Sequence, residues 1–382
     1  MNLSEYVAGI LEDIRRNGQQ AVKKYGKKFD GYDGSLALEK EEWKAGEEIP
    51  REDRITITHV IERIKRHHQD QVMTSNLVQR DGSLYGLVYR PIKRVGLYVP
   101  GGKPLPSSLI MTAVPALIAG VGEIVLTTPP SNEKIDPYTL FIADYLGIDE
   151  VYKVGGVQAI GLLTYGAGVK AVDKIFGPGN KYVNEAKRQV FGQVGIDGLA
   201  GPSNICVIAD DTPDPEVVLA DLQSQLEHGE HSSAWLLTTS RNLSSYCNRE
   251  GISVEKLGDL ATCVRKSNEI APEHLQIMTS DPLDLLDKVQ NAGAVYLGSY
   301  TPTAAADYFL GVNHVLPTGR TARFSSVLTV ADFLKPISLA YTSQMDFFKN
   351  RDLGMRFAEI EGMSKHRQSM EVRIDEKKDE RS

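Results

Sequence analysis

Val95-Gly96-Leu97-Tyr98-Val99-Pro100-Gly101-Gly102 is a short apolar run closed by a proline and two glycines, and an apolar stretch from about Ser107 follows it. A run of this length that ends in turn residues predicts a strand, and the stretch beyond predicts a helix. The unit recurs. Residues 151–154 lead through Gly155-Gly156 into a helix carrying Gln158, Ile160 and Leu162, and residues 172–176 lead through Gly177-Pro178-Gly179-Asn180 into a helix over 182–190. With Glu123-Ile124-Val125-Leu126 as a further strand, the alternation predicts a doubly wound parallel sheet. Ligands bind such sheets beyond the carboxyl ends of the strands, where these glycines fall. Glycine there lets backbone N–H groups and a helix N-terminus approach an anion, so a nucleotide cofactor is a reasonable occupant. Tight turns without a ligand explain the loops about equally well, because no strand leads into GxGxxG. Gly166-Ala167-Gly168-Val169-Lys170-Ala171 has that spacing but ends a helix, and it reads as a C-cap.

A second series lies beyond residues 196–204. Strands over 205–209, 235–239 and 294–298 alternate with helices starting near Asp214, after Asn242 and over 282–291, which predicts a second parallel sheet. Cys206, inside the apolar run Ile205-Cys206-Val207-Ile208, reads as a buried residue. Upstream, Val7, Ile10, Leu11 and Ile14 form one helical face ending at Gly18, and Ile57, Val60, Ile61 and Ile64 form another over 51–68. His59, His67 and His68 on the latter read as structural or solvated. Leu84-Tyr85-Gly86-Leu87-Val88-Tyr89 reads as a strand. Past Pro336 the strand pattern stops. A tail helix carrying Phe357 and Ile360 then leads through Glu361-Gly362-Met363-Ser364-Lys365-His366, and it has an apolar face with nothing of its own to pack on. Residues 375–382 are charged and read as frayed.

Composition bounds the function. The chain has 382 residues, 41% of them hydrophobic and 24% charged, which fits a folded protein of more than one packed unit. A net charge of −7 argues against nucleic-acid and anionic-membrane partners. Cys206, Cys247 and Cys263 show no framework spacing, which points to a reducing compartment, and no export signal or membrane span is legible. A cytoplasmic enzyme is the expectation.

The chemistry gathers around Asn268-Glu269-Ile270-Ala271-Pro272-Glu273-His274-Leu275, where a carboxylate and an imidazole stand side by side after a proline. The proline predicts a sharp turn opening a short helix that points both side chains into one cleft. Taken alone, a solvated pair on a loop explains it better. Gln225 and His228, three apart in a helix, can share one face and one metal ion. Asp307, His314 and His366 add oxygen and nitrogen donors further along.

These segments belong to a longer series. Val99-Pro100-Gly101-Gly102-Lys103, Phe176-Gly177-Pro178-Gly179-Asn180, Ser224-Gln225-Leu226-Glu227-His228, Gly311-Val312-Asn313-His314-Val315-Leu316-Pro317-Thr318 and Thr321-Ala322-Arg323-Phe324-Ser325-Ser326 stand in the order of the histidinol dehydrogenase family, which the chain resembles over nearly its whole length. The resemblance implies two Rossmann-like doubly wound α/β domains with a C-terminal helical arm. Residues 1–97 and 203–335 would form the substrate and zinc side, 98–202 the NAD side, and 336–382 the dimerisation arm. It implies a zinc-dependent, NAD-linked oxidation of L-histidinol through the aldehyde to L-histidine, with one zinc per subunit. The alternative is a related dehydrogenase acting on another small amino or hydroxy alcohol. Zinc ligands would fall on Gln225, His228, Asp307 and His366, and proton transfer on Glu273 and His274. Substrate contacts would fall on Ser203, His314 and Glu361 as well as on His274 and the zinc ligands, and NAD contacts on Tyr98, Gln158 and Asn180. The family is a homodimer, so His366 is expected to act across the interface. The span between His228 and Asn268 is shorter than is usual in the family, and Asn204 stands where a glutamate is usual.

Overall fold

Two helices open the chain because two apolar stripes meet at a glycine. In the computed structural model, which describes residues 2–39, 41–101, 106–148, 150–227, 229 and 232–373, α1 spans Leu3–Asn17 and α2 spans Gln19–Asp30. Asn2 and Glu5 close a capping box on α1. Gly18, at φ 56°, both ends α1 and starts α2. A short α3 (Lys44–Glu47) and a long α4 (Arg51–Gln69) follow. The hairpin β1 (Asn76–Arg80) and β2 (Ser83–Pro91) comes next, turning at Asp81 and Gly82, both in the left-handed region. The chain divides into two units, residues 1–72 with 91–333 and residues 73–90 with 334–382.

The first unit holds two five-stranded parallel sheets. The first sheet contains β3 (Arg94–Tyr98), β4 (Glu123–Thr128), β5 (Glu150–Lys153), β6 (Lys174–Phe176) and β7 (Gly195–Ile196) in the order β5-β4-β3-β6-β7. Its connections run through α5 (Pro106–Ala119), α6 (Pro137–Tyr145), α7 (Gly156–Tyr165) and α8 (Lys181–Val190). Every residue of β3 is buried, as expected of a strand with neighbours on both edges and helices on both faces. α1 packs on α7 and α8, and α4 packs on α5. At the amino ends of the strands, buried Arg94 donates to Glu123 at 2.8 Å and to both oxygens of Glu150 at 2.6 Å, tying β3 to β4 and β5. The glycine loop after β3 is described as far as Gly101; Gly102 and Lys103 lie outside the described residues.

The second sheet repeats the first in plan. Its strands are β8 (Asn204–Ala209), β9 (Ser233–Thr238), β10 (Ile252–Lys256), β11 (His274–Met278) and β12 (Ala294–Leu297), in the order β10-β9-β8-β11-β12. The helices are α9 (Pro215–Leu226), α10 (Arg241–Tyr246), α11 (Leu260–Ile270) and α12 (Thr303–Tyr308). The segment after Asp281 is a 3₁₀ helix, Pro282–Lys288, rather than an α-helix through 291. Cys206, Cys247 and Cys263 are all buried and free. Gly166 is the left-handed C-cap of α7, as the sequence indicates.

The second unit joins β1 and β2 to β13 (Leu334–Thr342) in a three-stranded sheet of order β1-β2-β13, followed by α13 (Gln344–Ile360) and α14 (Ser364–Glu371), which pack on each other. A strand past Pro336 departs from the sequence reading. β13 lies at the sheet edge, where the missing proline N–H costs no ladder bond. Residues 375–382, read as frayed, lie outside the described residues. Among the described residues, no helix is long and apolar enough to cross a membrane.

Candidate functional site

The Glu273-His274 pair opens a strand, not the short helix expected after Pro272. α11 ends at Ile270, Ala271 takes the left-handed conformation at φ 51°, and β11 begins at His274. The strand lies between β8 and β12, and all five of its residues are buried, so pairing on both edges overrides the local helix-start signal. The parallel register sets His274 opposite Ile205, which brings Glu273 beside Ser203 and Asn204 at the amino end of β8.

Those two residues clamp the carboxylate. Glu273 Oε2 accepts from Ser203 Oγ at 2.5 Å and from the Asn204 backbone N–H at 3.2 Å. In return the Glu273 backbone N–H donates to Asn204 Oδ1 at 2.8 Å. Ser203 Oγ also accepts from Nε2 of buried Gln225, in the last turn of α9, so Gln225, Ser203 and Glu273 form one chain of hydrogen bonds. Glu273 is 7% exposed, and its carboxyl pKa is pushed up to about 7. Burial is the main cause, the Asp307 carboxylate adds to it, and the Ser203 and Asn204 bonds oppose it.

His274, 5% exposed, sets Nε2 at 3.7 Å from Glu273 Oε1 and Nδ1 at 3.1 Å from the Tyr296 hydroxyl. The two rings stack at 5.9 Å with 23° between planes. The sequence reading missed Tyr296; its signal is the register of β12 on β11, where Tyr296 faces Gln276. Asp307, on α12, holds His314 Nδ1 at 3.2 Å. Glu273 and His314 both line a cavity of about 360 Å³, together with Gly177, Pro178, Asp197 and Ser325. This cavity lies between the carboxyl ends of β6 and β7 in the first sheet and the amino end of β11 in the second. In the second sheet, therefore, Glu273 stands at the end opposite to the usual ligand end.

A second cavity of about 820 Å³ sits over the carboxyl ends of the first sheet and gathers Tyr98, Gln158 and Asn180. Asn180 caps α8, accepting from the N–H groups of Tyr182 and Val183. The Tyr98 hydroxyl accepts from Gly156 N–H at 3.3 Å. Fully buried Gln158 donates from Nε2 to Asp30 at 2.9 Å, and its Oε1 has no partner among the described residues. A cavity of this size at strand carboxyl ends, with two helix N-termini and an unsatisfied buried acceptor, fits a dinucleotide.

One loop separates the two cavities. Gly177 and Pro178 line the smaller and Asn180 the larger. The loop is tied down at both ends. Gly177 N–H donates to Asp197 Oδ2 at 2.7 Å, its carbonyl accepts from Lys187 Nζ at 3.0 Å, and Lys187 and Asp197 form a buried ion pair. Asn184 Nδ2 donates to the Gly179 carbonyl at 3.2 Å. Gly177 sits at φ 120°, and a Cβ there would fall 2.0 Å from the Tyr98 carbonyl oxygen, so glycine is required.

Of the zinc ligands implied by the resemblance, Gln225 and Asp307 stand on the packed helices α9 and α12. Their amide and carboxylate suit a borderline cation such as zinc and supply part of a four-donor set. α9 ends at Leu226, and His228 lies outside the described residues. Glu361 and His366 belong to the second unit, where both are exposed. Among the described residues, no group of three or more His, Cys, Asp and Glu is arranged to hold a metal.

Comparison with known proteins adds three findings. A family model described as histidinol dehydrogenase matches residues 1–374. A histidinol dehydrogenase from Thermococcus kodakarensis is 60% identical, covering 97% of this chain and 99% of the relative, and one from Heliobacterium mobile is 42% identical over 98% and 94%. A crystal structure of histidinol dehydrogenase from Elizabethkingia anophelis superposes with a TM-score of 0.94 at 34% identity, covering 97% of this chain and 92% of that one.

Proposed function

The chain belongs to the histidinol dehydrogenase family, and from that premise we propose that it oxidises L-histidinol to L-histidine through L-histidinal, passing two hydrides in turn to NAD, as a zinc-dependent homodimer of the cytoplasm. It is an oxidoreductase of histidine biosynthesis. The observation that carries the finer reading is the shared loop. A cavity suited to a dinucleotide and a cavity holding a buried carboxylate and imidazole have Gly177-Pro178-Gly179-Asn180 as their common wall. In this reading the first sheet serves NAD, with Tyr98, Gln158 and Asn180 as its contacts, and the second serves the substrate.

NAD, when bound, accepts one hydride in each half-reaction, and zinc, when held by Gln225, His228, Asp307 and His366, orients the substrate through nitrogen donors. The chain's own residues move the protons. His274, oriented by Tyr296, takes the hydroxyl proton as hydride leaves the alcohol carbon. Glu273 takes a proton from the water that adds to the aldehyde, and a carboxyl that titrates at about 7 suits that role near neutral pH. With that proton on Glu273 the adduct is the hydrate anion; it loses hydride and then its remaining hydroxyl proton, which passes to a His274 that has released the first proton to solvent, leaving the carboxylate. Ser203 and Gln225 fix the Glu273 oxygen, while His314 and Glu361 complete the substrate contacts.

Zinc-loaded protein given NAD and L-histidinol should form two NADH per histidine, and a chelator should abolish the activity reversibly. His274→Ala should depress both half-reactions. Glu273→Ala should slow aldehyde oxidation more than alcohol oxidation, since only the former needs activated water. Full activity in verified metal-free protein, or equal losses in both steps for Glu273→Ala, would overturn the assignment.

A further inference from the structure

The larger cavity contains an acidic residue that the reading above leaves unused. Asp30 is the last residue of α2, before the left-handed cap Gly31, and it lines the cavity beside Gln158. Gln158 spends its Nε2 on Asp30, which leaves Gln158 Oε1 as a buried acceptor without a partner. The two side chains thus present neighbouring acceptors, one of them anionic. Burial holds the Asp30 carboxyl above its ordinary value, with the Gln158 bond and the Gly155 backbone opposing the rise.

A pair of adjacent acceptors selects a pair of adjacent donors. In a dinucleotide the vicinal hydroxyls of its two riboses are such pairs, two donors on neighbouring carbons. The aromatic side chains Tyr6, Phe29 and Tyr182 line the same cavity, and Phe29 immediately precedes Asp30. They offer flat apolar surface for a purine. The nicotinamide end must instead approach the loop at Gly177 and Pro178 to deliver its carbon to the Glu273 cavity. This assigns the adenosine half to the Asp30 end.

We propose that Asp30 and the amide oxygen of Gln158 bind the 2′,3′-diol of the cofactor's adenosine ribose, and that the Asp30 carboxylate excludes a dinucleotide carrying a 2′-phosphate. The proposal rests on the NAD reading above. Its logic is electrostatic: a hydroxyl donates to a carboxylate, whereas a 2′-phosphate brings like charge against it in a part-buried place.

Calorimetric titration of the zinc-loaded protein with NAD, NADP, 5′-ADP and adenosine 2′,5′-bisphosphate tests it without turnover. The wild type should prefer NAD to NADP by roughly a hundredfold or more, given a desolvated carboxylate facing a phosphate. Asp30→Asn, which keeps shape and removes charge, should narrow that preference at least about tenfold, weakening NAD and improving NADP and the bisphosphate. Asp30→Ser, which also makes room, should narrow it further. Unchanged preference in both variants, with melting temperatures like wild type, would overturn the proposal while leaving NAD binding intact. Equal tightening of 5′-ADP and the bisphosphate would also overturn it, because general charge would then explain the change. If the wild type binds none of the four probes, the NAD reading itself fails. If the Asn and Ser variants melt early, the NAD:NADP ratio of the wild type decides, and a ratio near one overturns the proposal.

Discussion

Glu273 shows how a single residue links chemistry to stability. Its folded-state carboxyl keeps its proton up to about pH 7, whereas the ordinary value is 4.5. Between those values the folded form binds more protons than the unfolded one. Stability therefore falls as pH rises from 4.5 to 7 and stays low above. That rise in pKa is equivalent to roughly 3 kcal/mol. Glu273→Gln should accordingly be more stable than wild type above pH 7, by up to about 3 kcal/mol, and nearly equal to it at pH 4.5. Urea unfolding of metal-free protein at both pH values checks this, and a gain that does not grow with pH would show that the buried charge is compensated. The Glu-His pair was legible as a motif, but its surroundings were not. Ser203 and Asn204 stand about seventy residues away in sequence, and only the register of β11 on β8 makes them neighbours. Asn204, visible in sequence as a departure from the family's usual residue, proves to be half of a reciprocal clamp on the Glu273 backbone and carboxylate.

At the scale of elements, the loop carrying His314 is held by a helix far away in sequence. His68, fully buried on α4, has Nδ1 at 2.9 Å from the Ile64 carbonyl and Nε2 at 3.1 Å from Asn313 Nδ2. Because the amide donates, Nε2 accepts and Nδ1–H donates, so the ring is neutral, and burial lowers its pKa accordingly. Asn313 also donates to the Met111 carbonyl at 2.8 Å and accepts from Val315 N–H at 2.8 Å. Asn313→Leu would strand these buried partners. It should lower stability by about 1–3 kcal/mol and raise the KM for substrate through the loosened His314, measured by urea unfolding and steady-state kinetics. A variant as stable as wild type would show that the loop is held elsewhere. Parallel strands with apolar runs and glycine loops were readable locally. Among the missed elements were some that local pattern disfavours: α2 with its thin apolar stripe, β10 and β11 with polar residues in their runs, and β13 with an internal proline that its edge position accommodates.

At the scale of the molecule, both sheets have the same strand order, with the first strand central and the chain reversing direction of growth beside it. That recurrence was visible as two series of strands and helices. The second unit was visible as a helical arm and a separate strand over 84–89, not as one sheet that joins them. Its α13 exposes Leu353, Phe357 and Ile360, at 73%, 61% and 66%, on one helical face, a stripe that the proposed dimer would cover. If the arm of one protomer serves its partner, as the dimer reading holds, mixing inactive His274→Ala and His366→Ala proteins should restore activity. Random pairing gives half the dimers mixed with one intact site each, so about a quarter of the wild-type rate should return. No recovery, with mixed dimers confirmed by mass, would place His366 with its own chain.

The loop from Gly177 to Asn180 bears on the proposed reaction, which would use two cofactor molecules in succession. A flexible flap would expose both chambers each time spent cofactor departs. A backbone pinned by Lys187, Asp197 and Asn184 instead keeps the wall between the two chambers in place. In the proposed reaction the half-oxidised intermediate, an amino aldehyde prone to condense with any amine it meets, would stay in the smaller chamber while the second cofactor is loaded in the larger. Its leakage into the medium would then depend on how firmly those four residues are held as well as on how tightly the aldehyde is gripped.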